Sequence, residues 1–151
     1  MFSFLNAVPE AYANIMGSSD YPELKGTVYF YGVHGGTVVV ADIKNMPKDD
    51  KFHGFHIHEG ANCTGTMQEP FMNAGKHYNP TNMPHPNHIG DLPTILASNG
   101  IVFSAFYTNR FFPEDVVGRT IIVHEMPDDF KTQPSGNAGK MIACGEIVEQ
   151  K

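Results

Sequence analysis

Short runs of alternating or β-branched residues, each closed off by turn formers, recur along this chain of 151 residues, and patterns for a long helix are scarce. A chain written this way can build a sandwich or a closed barrel and little else. The runs predict strands over Ala11–Met16, Gly26–Tyr31, Thr37–Ile43, Phe52–His58, Thr94–Ala97, Ile101–Tyr107, Thr120–His124 and Met141–Val148. Between pairs of them, His34-Gly35-Gly36 and Ser98-Asn99-Gly100 read as hairpin turns. No repeat, low-complexity tract or linker divides the chain, so residues 1–151 are expected to form a single domain. Alternation places Phe55, Ile57, Val38, Val40, Ile121, Val123 and Ile142 in the core.

The formal charge of −6, without any Lys/Arg cluster, argues against nucleic acid as a partner. No apolar run has the length of a membrane-spanning helix, so no membrane partner is expected. The segment Met1–Gly17 lacks a positively charged lead and a sustained apolar stretch, and does not read as a signal peptide. A cytoplasmic location is the expectation, or an extracytoplasmic one had a precursor segment been removed. The two cysteines, Cys63 and Cys144, leave three readings open from spacing alone: a disulfide, two thiols in a reducing cytosol, or metal ligands.

Two stretches break the strand rhythm, a long one over Glu59–Asp91 and a shorter one over Met126–Lys140. Long loops without secondary structure of their own are commonly functional. Among the eight histidines, His56 and His58 sit one residue apart within an expected strand. Both rings therefore leave one face while Phe55 and Ile57 leave the other, which puts two imidazoles side by side on the outer surface. His124 falls opposite Ile121 and Val123 at the end of its own strand. Further along, His77, His85, His88 and Asp91 fall within fifteen residues, three imidazoles and a carboxylate that suit a tetrahedral zinc shell.

Taken together, the segments GFHIHE (54–59), AGKHYNP (74–80), HIGDL (88–92), GRTIIVHE (118–125), GNAG (136–139) and ACG (143–145) resemble the copper/zinc superoxide dismutase family, in the family's order. The resemblance runs from about Ala11 to Val148. It implies an all-β fold, an eight-stranded Greek-key β-barrel of immunoglobulin-like sandwich type, with two long functional loops. It implies copper held by His56, His58, His77 and His124, and zinc held by His77, His85, His88 and Asp91. His77 becomes the bridging ring, and His77 and His124 the catalytic residues. Asp128 corresponds to the outer carboxylate that links His56 to His85, and Cys63 with Cys144 to the family's disulfide. His34 and His53 match no ligand position and are expected to be surface or packing residues. The implied activity converts superoxide to dioxygen and hydrogen peroxide, in a homodimer or a monomer.

Departures from the family pattern are informative. The family commonly carries an arginine three residues before the second cysteine, where this chain has Met141. A thioether can neither attract nor hydrogen-bond an anion, so Met141 predicts weaker guidance of superoxide. Lys140 should project to the opposite side of the strand, and Lys76, just before His77, is a second candidate substitute. The interval from Cys63 to His77 is longer, and that from His85 to His88 much shorter, than in animal members. The segment after His124 is short, which would leave the copper more open to solvent. Beside an active dismutase, two other classes remain open at this stage. One is a copper/zinc storage protein with little turnover, favoured by Met141, and the other is a domain keeping zinc only to hold its loops.

Overall fold

In the first strand, Ala11, Ala13 and Ile15 are buried while Asn14 and Met16 are exposed, the period of two that a sheet with one wet face requires. The same logic runs through a computed structural model that describes residues 7–151. The opening part of the segment tested for a signal peptide, Met1–Asn6, lies outside the described residues.

The strands are β1 (Ala11–Gly17), β2 (Lys25–Val33), β3 (Gly36–Lys44), β4 (Phe52–His53), β5 (Phe55–His58), β6 (Ile95–Leu96), β7 (Val102–Thr108), β8 (Thr120–His124) and β9 (Met141–Glu149). Seven of them form one antiparallel sheet in the order β5-β8-β9-β1-β2-β3-β7, and β4 pairs with β6 apart from it. After the β1–β2–β3 meander the chain crosses to β5 at the far edge, then returns to lay β7 beside β3. That long return is the Greek-key connection. The sheet curls so that both of its halves share one core: Ile15, Phe30 and Ile43 meet Phe55, Ile57, Ile121 and Ile147 in a single buried cluster.

Both expected turns are present. Val33 pairs with Gly36, leaving His34-Gly35 as a two-residue loop, and Ser98 bridges Ile101 across Asn99-Gly100.

One expectation is corrected and a second refined. The run Phe52–His58 is two strands, not one, because the chain breaks at Gly54 and its halves join different sheets. A Cβ on Gly54 would stand 2.8 Å from that of Ala138 and 3.3 Å from that of His124, so the loop can close over this point only on glycine. Val38 and Val40 are buried, as expected, but on the face away from the main core cluster, which Val39 and Ala41 join instead. Val38 lies opposite Tyr31 and Tyr107, and Val40 opposite Tyr29, so those two valines belong to the outer face of the sheet. An aromatic-rich outer face makes both faces of β3 apolar, which hides the phase of the alternation.

Cys63 and Cys144 are joined in a disulfide, with Cα atoms 5.7 Å apart across 81 residues of sequence. The bond ties the long loop to β9, and a small second cluster of Phe71, Ala74, Ile122 and Cys144 packs around it, with Met141 against its edge. In the chain-entropy account, closing a loop of this length stabilises the fold by about 4–5 kcal/mol.

Core and surface aromatics should behave oppositely in urea unfolding. Phe55 is fully buried, and Phe55→Ala should cost about 3–5 kcal/mol. Phe103 is 74% exposed, and Phe103→Ala should stay within about 0.5 kcal/mol of the unchanged protein. Equal losses from both would contradict the placement of β5 and β7.

Candidate metal centre

β5 puts His56 and His58 on the face opposite Phe55 and Ile57, as alternation requires. His56, His58 and His124 stand on the outside face of the barrel, as expected, yet all three are buried. The two long loops fold down over them. His58 forms an isolated bridge with His77, which brings the first loop onto the end of β5, and Gly54 N–H donates to Met126 O at 2.8 Å, which seats the second. At the end of β8 a register shift between Val123 and His124 sets His124 opposite Met141 and beside the other two rings.

Seven residues are thereby gathered into two groups that share His77. Ligand atoms of His56, His58, His77 and His124 all lie within 4.8 Å of one another, as do those of His77, His85, His88 and Asp91. These are the two sets that the resemblance picked out, and all seven members are buried.

Hydrogen bonding decides which nitrogen each ring turns inward. His58 Nδ1 donates to Gly75 O at 2.8 Å, and His124 Nδ1 to Gly139 O at 3.3 Å. A neutral imidazole that donates from Nδ1 keeps a lone pair on Nε2. The two Nε2 atoms face each other at 3.4 Å, so two lone pairs converge on one point. His56 meets Asp128 through Nε2 at 2.7 Å, which leaves its Nδ1 buried with no hydrogen-bond partner among the described residues. His77 meets Asp91 through Nδ1 at 2.8 Å, and its Nε2 is likewise buried and unpartnered. Buried polar atoms without partners are costly unless something else satisfies them. Lone pairs aimed at a common centre are satisfied by a cation. On the other side of His77, Asp91 Oδ2 lies 3.0 Å from His85 Nδ1 and 3.2 Å from His88 Nδ1, a compact nitrogen-and-oxygen set suited to tetrahedral zinc.

Burial and crowding keep His56, His58 and His124 neutral. Burial, reinforced by His56 and His77 alongside, pushes His124 down to about 3. Burial pushes His56 down to about 4 against the upward pull of Asp128, and holds His58 well below the usual histidine range. Asp128 feels burial in the upward direction, but hydrogen bonds from His56, His85 and the Phe130 N–H outweigh it and hold the carboxyl well below the usual range. Asp128 thus stays anionic, and its Oδ1 accepts from His85 Nε2 at 2.8 Å while its Oδ2 serves His56. One carboxylate orients one ring from each group, the role proposed for it on resemblance.

Several supporting residues escaped sequence reasoning. His53, expected to be ordinary packing, is fully buried and bonds through Nδ1 to His124 O at 2.8 Å. Gln133 clamps the backbone of His85 from both sides, accepting from its N–H at 2.9 Å and donating to its carbonyl at 2.7 Å. Arg110 donates from one nitrogen toward the carbonyls of Pro86, His88 and Asp91. Arg119 donates to Glu59 O at 3.1 Å and stacks 3.9 Å from the centre of the Tyr78 ring. Their partners are remote in sequence, so no local pattern could have singled them out. His34 sits in its turn, away from the centre.

Solvent reaches the centre through a cavity of about 550 Å³ that touches His58, His77 and His124 and has Lys76, Glu59 and Met141 at its walls. Lys140 lines a different cavity, with Met141 on the boundary between the two.

The family model for copper/zinc superoxide dismutase matches residues 24–147. The chain belongs to the copper/zinc superoxide dismutase family. Among its relatives, the extracellular superoxide dismutase [Cu-Zn] of Drosophila melanogaster is 31% identical, the alignment covering 91% of this chain and 84% of the relative. Superoxide dismutase [Cu-Zn] A of Xenopus laevis is 34% identical over 88% of this chain and 93% of its own. The solved Cu/Zn superoxide dismutase from Brucella abortus superposes with a TM-score of 0.79 at 27% identity, covering 91% of this chain and 99% of that one.

Two measurements test the local account. The unfolded chain protonates histidine near pH 6.5, whereas folded His56 and His124 wait until about 4 and 3. The unfolded state therefore binds more protons below pH 6.5, and the metal-free fold should lose stability as pH falls from there, by about 1.4 kcal/mol per unit for each ring. Above pH 6.5 these rings contribute no pH dependence. A flat stability between pH 6.5 and 4.5 in urea titrations would contradict their burial. Gly136 adopts φ +73°, and a Cβ there would collide with Asp128 Oδ1 and come within 2.6 Å of His85 Nε2. Gly136→Ala should weaken retention of metal in both groups on dialysis against a chelator, and unaltered retention would show that Asp128 orients neither ring.

Proposed function

We propose that this chain is a superoxide dismutase whose copper is held by His56, His58, His77 and His124 and whose zinc is held by His77, His85, His88 and Asp91. The observation that carries the reading is the convergence of unpaired imidazole nitrogens from two groups that share one ring. Copper supplies ready one-electron exchange, and zinc, which has no redox chemistry, supplies fixed charge and geometry. The overall conversion takes two superoxide ions and two protons to one dioxygen and one hydrogen peroxide, one superoxide being oxidised and the other reduced.

The protein's own contributions follow from the geometry. His77 belongs to both groups, and its Nε2 has no hydrogen-bond partner among the described residues, so this nitrogen is where a proton is held and passed toward product. Its Nδ1 lies 2.8 Å from Asp91 within the second group, so zinc held by these two residues would keep the ring oriented while Nε2 exchanges. His58 and His124 are locked by the Gly75 and Gly139 carbonyls and cannot swing into the substrate path. The cavity admits a small anion on the side of His58 and His124, while Asp128 remains sealed behind His56.

No helix among the described residues is long and apolar enough to cross a membrane. The Cys63–Cys144 disulfide and the extracellular relatives support the extracytoplasmic alternative for its location.

Metal analysis of protein from copper- and zinc-supplemented cells, run beside a superoxide consumption assay, tests the reading. One copper, one zinc and rapid consumption are expected. His77→Ala should lower retention of both metals, and His124→Ala should lower copper alone. Full loading of both metals with no superoxide loss would overturn the dismutase reading and leave a metal store in its place.

A further inference from the structure

Guidance of an anion into a buried centre needs a positive group at the mouth, and Met141 cannot supply it. Among the described residues, Lys76 is the lone lysine or arginine on the wall of the cavity that reaches His58, His77 and His124. It is exposed, and no ion pair with another of the described residues engages it. Its place is set by the backbone: Lys76 O accepts from Glu59 N–H at 2.8 Å, beside the His58–His77 bridge, so the lysine is held one residue from the ring that both groups share. Glu59 lines the same cavity, but no ion pair joins the two.

The other cations nearby are committed elsewhere. Arg119 is bound to Glu59 O and the Tyr78 ring, and Arg110 to three carbonyls behind the second histidine group. Lys140 opens onto the neighbouring cavity, whose walls carry Asp20, Glu69 and Glu125. Met141, for its part, packs on the cluster of Phe71, Ala74, Ile122 and Cys144, so the position has been turned over to holding the loop.

Resting on the dismutase reading, we infer that Lys76 is the residue that draws superoxide, and small inorganic anions of like charge, to the copper side of the centre. A lysine on a flexible stem acts as a point charge, without the planar fork by which an arginine also orients its partner. It raises capture more than it improves alignment, and its influence is screened over about 10 Å at 0.1 M salt.

The experiment uses protein loaded with both metals and azide as the probe anion. Azide binding is followed by the copper absorption spectrum, and superoxide consumption is measured across ionic strength. Lys76→Gln should weaken azide binding and slow consumption, each by about 3–10-fold at low salt, and should flatten the salt dependence, within the range that steering effects span. Lys140→Gln removes the same charge from the neighbouring cavity and should leave both readouts within about 1.5-fold. Adding Met141→Arg to Lys76→Gln should restore azide affinity and the salt slope. Unchanged azide binding and an unchanged salt slope in Lys76→Gln would overturn the inference, and so would equal losses in Lys140→Gln, which would assign the effect to net charge. If the loaded unmodified protein consumes no superoxide, the dismutase reading fails, while the azide titration still decides for or against Lys76.

Discussion

The Asp128 carboxylate takes one hydrogen bond from His56 and another from His85, at 2.7 and 2.8 Å, and so couples two groups of ligands that arrive from different parts of the chain. His56 comes from a strand and His85 from a loop, and neither element could orient the other's ring. A buried anion is tolerable here because three donors surround it, the Phe130 N–H being the third. The arrangement also explains Gly136, since the space beside Asp128 leaves no room for a side chain. Removing this one acid would leave His56 Nε2 and His85 Nε2 buried and unpaired, in addition to the nitrogens already turned toward the centre.

Reading such a fold from sequence succeeds where one face of a strand is polar and fails where both are apolar. β5 was legible, since Phe55 and Ile57 alternate with His56 and His58, and β8 was marked by His124 following Val123 at its end. β3 was misphased, since Val38 and Val40 are as apolar as Val39 and Ala41 and are covered on the outer face by tyrosines. The break at Gly54 depends on how closely Ala138 and His124 approach, and those residues lie more than sixty positions away. Ligand residues were legible because their chemistry is rare and their motifs occur together. His53, Gln133 and Arg110 were not, since backbone carbonyls and amides are their partners and every residue has those.

The disulfide and its small cluster show how the long loop is made to behave. Phe71 and Ala74 cannot reach the main core, so they pack with Ile122, Cys144 and Met141 on the outer side of β8 and β9. Met141 fits that company through its apolar side chain, which packs against the edge of the cluster. Met141 thereby anchors the long loop while forming part of the cavity wall, and it brings no charge to that wall.

Arg110 has a consequence of another kind. One of its nitrogens reaches carbonyls of Pro86, His88 and Asp91 at 2.9, 2.8 and 3.1 Å, a spacing that only a tightly wound loop can present. Lengthening the interval between His85 and His88 would carry at least one of those carbonyls out of range. The length of that loop and the arginine are therefore structurally coupled, since extending the one would undo part of the hold of the other.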